Sequence, residues 1–233
     1  MSRRGLIVER PQGRTGDFAV VCPHFAGLTA VEAMLAGALP IGDANGATLA
    51  LAGRFADDTE TYAAILAADP FRPPPLLLPA LREAGVRAVI NLPSLAMIGG
   101  GLAAALHHAG ADYAAELVTL VQAKAHGFQV MAVAGDPGQA GRVLASGLDQ
   151  LLICPRPELT ADACVTTVLD TVRAVRAAAP SARVLVFRPP LVAATFAPAV
   201  ALADGVADWA IVPRGGAGSV DPVQAELVVE GLA

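Results

Sequence analysis

Three aspartates, a glutamate and four arginines stand where this chain could do chemistry. Asp43, Asp69 and Asp136 each follow an apolar run, and Glu116 falls in the first turn of a predicted helix. Two or three such carboxylates on one point can hold Mg²⁺, a hard cation that takes oxygen ligands and keeps several waters. The competing role is helix capping, since Asp69 and Asp136 both precede proline. Arg72, Arg156, Arg188 and Arg214 fall just beyond predicted strand ends. Guanidinium groups gathered on one face of an acidic chain suit a carboxylate or phosphate ligand. Salt bridges among loops or to a partner subunit are the alternative.

Other groups sit at strand tips. Gly215-Gly216-Ala217-Gly218-Ser219 offers backbone N–H groups that could cradle a phosphate, although glycine-rich turns are common. Asn91 and Ser94 flank Pro93 and could orient a carbonyl or satisfy turn backbone. His24, after Pro23, is the best-placed general-base histidine, whereas His107, His108 and His126 fall at helix ends where capping is expected. Cys22 with His24 would make a nucleophile and base, but buried thiols at strand ends are far commoner.

These tips belong to a repeating pattern. Seven short apolar runs end in a polar or proline-bearing tip: 20–24, 65–70, 89–94, 130–136, 151–156, 184–189 and 210–215. Unbroken apolar runs suit strands covered on both faces, hence a parallel sheet. A segment able to form a helix lies in every interval, and parallel strands put all their C-termini at one end, where α/β barrels carry their ligand sites. The expected fold is a TIM-type (β/α)8 barrel, irregular or truncated at its first strand. The interval between Gly5–Glu9 and Phe18 is too short for a helical crossover, so Gly5–Glu9 reads as an antiparallel edge piece or a plug. Helices are expected over 26–36, 47–55, 57–62, 76–84, 102–108, 113–126, 137–146, 161–179, 195–203 and 222–231. No linker or low-complexity tract divides the chain, so one domain spans 1–233.

Composition narrows the function. The 233 residues are 55% hydrophobic, with a net charge of -5 and 4% aromatics. With no basic run and few aromatics, nucleic-acid binding has little support. Three cysteines with no CxxC pair fit a reduced, cytoplasmic protein and exclude a zinc ribbon. The apolar stretch after Met1-Ser2-Arg3-Arg4 is too short for a signal peptide, and no window reaches the roughly 18 apolar residues of a membrane span. Of the 16 cations only Lys124 is lysine, and it lies inside a predicted helix, so no Schiff-base lysine stands at a strand end. The high apolar content points to a homo-oligomer, and a hetero-partner is also compatible.

Residues 18–150 resemble the phosphoenolpyruvate hydrolase-like TIM-barrel family, also called TIM-barrel signal transduction proteins, a domain shared with plant tobamovirus-resistance proteins. The segment from Leu35 to Asn45, LAGALPIGDAN, is the most specific match. Ala68-Asp69-Pro70-Phe71-Arg72, the stretch from Gly85 to Ser94 and the stretch from Gly110 to Glu116 follow at the right distances. The family looks like a branch of the phosphoenolpyruvate mutase and isocitrate lyase barrels, which make or break C–C or C–P bonds beside a 2-oxo acid with Mg²⁺ on the enolate oxygens. The resemblance thus implies a small anionic substrate, with Asp43, Asp69 and Glu116 near the metal and Arg72, Asn91 and Ser94 near the substrate. The chain departs from the family after strands six, seven and eight, where histidine- and glycine-rich tips give way to Cys154-Pro155-Arg156-Pro157, Arg188-Pro189-Pro190 and Arg214-Gly215-Gly216.

The expected function is a hydrolase or lyase using Mg²⁺-stabilised enolate chemistry on a small 2-oxo acid or a phospho- or phosphono-carboxylate. Asp69, Glu116 and His24 are the candidate catalytic residues, and Asp43 and Asp69 the candidate metal ligands. Arg72, Asn91, Ser94, Arg156, Arg188, Arg214, Gly215 and Gly216 are the candidate substrate contacts. A non-catalytic barrel that binds an anion or a partner subunit is the alternative, and a Cys22–His24 hydrolase a third.

Overall fold

The computed structural model describes residues 3–11, 16–25, 42–156, 159–188 and 196–209. Eight parallel strands close into a barrel in sequence order. They are β1 (Arg3–Val8), β2 (Phe18–Val21), β3 (Thr61–Ala64), β4 (Ala88–Ile90), β5 (Gln129–Ala134), β6 (Gln150–Ile153), β7 (Arg183–Arg188) and β8 (Gly205–Trp209). The α-helices among the described residues are α1 (Ala44–Ala52), α2 (Pro74–Glu83), α3 (Gly100–His108), α4 (Tyr113–Ala125), α5 (Pro137–Ala145), α6 (Ala161–Ala178) and α7 (Ala197–Leu202). This is the TIM-type barrel the apolar runs predict. Every residue of β3 and β4 is buried, as strands with one face in the barrel and the other under helices must be.

The first strand corrects one expectation. β1 is an ordinary barrel strand, parallel to β2 from Gly5↔Phe18 to Val8↔Val21 and to β8 from Arg3↔Gly205 to Ile7↔Trp209. Residues 9–17 can reach roughly 30 Å when extended, whereas β2 rises only about 13 Å. A return without a helix is therefore long enough, and the Asp17 amide ties its end to the Arg4 carbonyl at 2.7 Å. Gly5 is required here because a Cβ would run into the Phe18 ring.

Two other strands are shifted. β3 is Thr61–Ala64, so 57–62 is not a helix and Ile65–Asp69 forms the tip beyond the strand. β8 is Gly205–Trp209, upstream of the apolar run expected to form it. The helices expected over 26–36 and 222–231, and Arg214, Gly215 and Gly216, lie outside the described residues.

A polar layer closes the N-terminal end. Tyr62 Oη donates to Gln150 Oε1 at 2.9 Å and accepts from Gln129 Nε2. Gln150 and Arg183 are register partners on β6 and β7. That end reads as scaffold, and the opposite end carries the candidate site.

Candidate functional site

The loops before α1 and after β3 build a cavity of about 450 Å³ at the C-terminal end of the barrel. Asp43 caps α1, its carboxylate accepting the Gly46 amide at 2.8 Å. The same carboxylate is gripped by both arms of Arg72, Nε to Oδ1 at 2.8 Å and Nη2 to Oδ2 at 2.5 Å. The Arg72 hydrogen bond, then the Gly46 amide, hold the Asp43 carboxyl below the usual carboxylate range. The pair stays accessible, with side-chain exposures of 39% for Arg72 and 56% for Asp43.

Asp69 forms the floor. It is 8% exposed and lines the same cavity. Its Oδ1 accepts the Phe71 amide at 2.8 Å and its Oδ2 accepts Asn45 Nδ2 at 2.9 Å. Asn45 is fully buried because α1 turns Ala44, Asn45, Thr48 and Ala52 inward. Its Nδ2 also donates to the Leu66 carbonyl, and its Oδ1 accepts the Leu66 amide at 3.0 Å. One amide side chain thus fixes both the β3 tip and the Asp69 carboxylate. Sequence reasoning includes Asn45 in its most specific segment but assigns it no role. Its place in the first helical turn beside a capping aspartate is the available signal.

Asn91, Ser94 and Glu116 come together in a second, closed cluster. α4 buries Tyr113, Glu116, Leu117, Leu120 and Ala123, a helical spacing that carries Glu116 into the interior. Its Oε2 accepts Ser94 Oγ at 2.5 Å and Asn91 Nδ2 at 2.8 Å, and its Oε1 accepts the Leu95 amide at 2.9 Å. Asn91 Oδ1 accepts the Val133 amide on β5. Burial pushes the Glu116 carboxyl up to about 7, against the opposing pull of the Ser94, Leu95 and Asn91 hydrogen bonds. All three side chains are fully buried and bonded to one another, and they do not line the cavity.

The remaining candidates are distributed around the strand ends. Arg188 on β7 makes a bidentate pair with Asp208, its register partner on β8, both bonds at 2.7 Å. Asp208 escapes sequence reasoning because the final strand is placed downstream of it. Arg156 follows β6, half-buried and off the cavity. Asp136 caps α5, accepting the Gln139 amide. Cys22 Sγ lies 3.4 Å from His24 Nε2 and donates to the Leu92 carbonyl at 3.6 Å. Burial pushes the Cys22 thiol well up and holds His24 down at about 4. A nucleophilic pair needs the opposite shifts, so this one is set as neutral thiol and neutral imidazole.

The donor set can be tested for a divalent cation. Among the described residues no three His, Cys, Asp or Glu side chains gather into a cluster. Mg²⁺ does not require one, since it is commonly held by one or two carboxylates, substrate oxygens and waters. Asp69 fits that role: each oxygen takes a single donor that orients it, and the carboxylate lines the cavity. Asp43 would serve once Arg72 lets go of it.

A closed parallel barrel with its charged cavity at the strand C-termini is a TIM-type barrel in the arrangement used by enzymes of that fold. The chain belongs to the phosphoenolpyruvate hydrolase-like family, whose sequence model matches residues 17–197. It is 35% identical over 145 residues to the "uncharacterized protein y4oT" of Sinorhizobium fredii (strain NBRC 101917 / NGR234), covering 61% of this chain and 73% of that one. The solved structure of a "putative phosphonomutase" from Burkholderia cenocepacia J2315 shares the fold, with a TM-score of 0.51 and 15% identity over 98% of this chain and 92% of that one. Among the described residues no helix is long and apolar enough to cross a membrane.

Proposed function

We propose that the protein is an enzyme of the hydrolase or lyase type, acting on a small 2-oxo acid or a phospho- or phosphono-carboxylate. The observation that carries this reading is the sharing of one cavity by the Arg72 fork and the oriented carboxylate of Asp69. Membership of the phosphoenolpyruvate hydrolase-like family and the name of the Burkholderia neighbour support the substrate class.

Arg72 binds the substrate carboxylate or phosph(on)ate through its planar fork. Its present partner, Asp43, is an exposed carboxylate in the same fork, and exposed pairs of this kind exchange readily for an incoming anion. Asp69 and the released Asp43 would hold Mg²⁺, which supplies electrostatic stabilisation of an enolate oxygen. Asn45 keeps Asp69 aimed at the cavity. Glu116, Asn91 and Ser94 act at one remove, locking the loop after β4 beside the barrel mouth.

Enolate formation has a direct assay. In D₂O with Mg²⁺, the C3 protons of pyruvate or 2-oxobutanoate should exchange for deuterium in the presence of the protein, each proton passing to solvent as the enolate forms and a deuteron returning from D₂O, followed by proton NMR. Arg72→Gln should abolish the exchange. Binding of these acids without exchange or turnover would favour the alternative, a non-catalytic anion-binding barrel. That reading draws on the engagement of Glu116 in a buried cluster with Asn91 and Ser94, and of Cys22 with the half-buried His24.

A further inference from the structure

We infer that the cavity selects an anion bearing an apolar side chain, such as a branched or aromatic 2-oxo acid, and that Phe71 is the residue that reads it. This deepens the proposed function and rests on it. The lining of the cavity is of two unlike kinds. Asp43, Asp69 and Arg72 supply its charged lining, and Phe71, Leu76 and Leu77 its apolar lining. Leu77 is buried, but Phe71 is 75% exposed and Leu76 66% exposed. Single exposed apolar side chains are ordinary. Here two of the most exposed large ones in the described chain line the same cavity as the arginine.

The backbone that carries Phe71 and Arg72 is constrained. The tip reads Asp69-Pro70-Phe71-Arg72-Pro73-Pro74-Pro75, so prolines enclose the phenylalanine–arginine pair. Proline fixes φ and removes conformational freedom from the chain. The Phe71 amide is also tied to Asp69 Oδ1 at 2.8 Å. The carboxylate floor, the aromatic ring and the guanidinium therefore come from one short segment whose backbone needs little ordering on binding.

Size agrees. A cavity of about 450 Å³ falls within the range of sites that enclose ligands well beyond three carbons. A bare pyruvate held by Arg72 would leave the Phe71–Leu76 lining in water. An acid with a branched or aromatic tail would cover it, and each buried methylene strengthens binding by roughly fourfold (about 0.8 kcal/mol).

The test is calorimetric titration of the full chain, with Mg²⁺, using pyruvate, 2-oxobutanoate, 4-methyl-2-oxopentanoate and phenylpyruvate. The expected result is a Kd that falls severalfold with each added carbon, so that 4-methyl-2-oxopentanoate binds at least tenfold tighter than pyruvate. Phe71→Ser should shrink that ratio towards one, while Arg72→Gln should weaken all the acids together. Equal affinities in the wild type, or an unchanged ratio in Phe71→Ser, would overturn the selectivity and leave the 2-oxo acid reading standing. Binding of none of the acids would overturn both. A lower sedimentation mass in Phe71→Ser with an unchanged ratio would instead assign the apolar lining to a subunit contact.

Discussion

Arg72 closes on Asp43 with both arms of its guanidinium, joining residues 29 apart in the chain across the mouth of a cavity that Asp69 floors. An internal carboxylate thus occupies the fork that a substrate carboxylate would use. The pair is well exposed, so its geometry matters to binding more than to folding.

The first prediction concerns that fork. Arg72→Gln should weaken binding of all small carboxylates strongly while moving the urea midpoint little. Arg72→Lys should restore only part of the affinity, because a point charge cannot reproduce two parallel hydrogen bonds. Titration calorimetry alongside urea denaturation separates the two effects.

Asn45 should matter to both. Asn45→Ala removes a buried side chain that donates to the Leu66 carbonyl and Asp69 and accepts from the Leu66 amide. Buried groups left without partners cost about 1–3 kcal/mol. The variant should lose roughly that much by urea denaturation and also bind Mg²⁺ and anion more weakly, since Asn45 Nδ2 is the donor that orients Asp69 Oδ2 among the described residues. A stability loss with unaltered binding would separate Asn45 from the site.

Glu116 meets three donors, and both of its oxygens must accept. Glu116→Gln has one acceptor oxygen, so its amide faces either the Leu95 amide or the Asn91 and Ser94 donors. The expected cost is again about 1–3 kcal/mol, read as a fall of several degrees in melting temperature.

Glu116 and His24 should also oppose each other in pH dependence. The Glu116 carboxyl sits at about 7 in the native state against an ordinary 4.5, so its contribution to stability is lost as pH rises from about 4.5 to 7. His24 sits at about 4 against 6.5, so its contribution is lost as pH falls from about 6.5 to 4. Each shift is worth about 3 kcal/mol, and the two slopes offset between about pH 4.5 and 6.5. His24→Gln should therefore gain stability on acidification across that range, and Glu116→Gln should lose it. Urea midpoints across the range check both signs, and two variants with the wild-type slope would refute the assignment.

The barrel is legible in the sequence because parallel strands are buried on both faces and leave uninterrupted apolar runs. The failures have local causes. β3 is the short segment Thr61–Ala64, less apolar than the Ile65-Leu66-Ala67 tip that follows it, and β8 contains Gly205 and Asp208 ahead of a more apolar stretch. β1 is misjudged because a parallel return needs length, and a helix is only the usual way to supply it. At the site, Asp43, Asp69 and Arg72 are legible as charges at strand tips, and the structure brings them to one cavity. The Arg188–Asp208 pair is not legible, because it depends on register between two strands, one of them misplaced.

The most direct measurement of the central claim is a thermal-shift titration with Mg²⁺ and a panel of 2-oxo acids, phosphonopyruvate and phosphoenolpyruvate, on wild type and Asp69→Ala, each compared with its own ligand-free baseline. A ligand at 100 times its Kd stabilises by about 2.7 kcal/mol, a shift of roughly 5–10 °C at this chain length. The account predicts a metal-dependent shift of that order in the wild type and its loss in Asp69→Ala. The same shift in both proteins, or none in the wild type with any of these ligands, would contradict it.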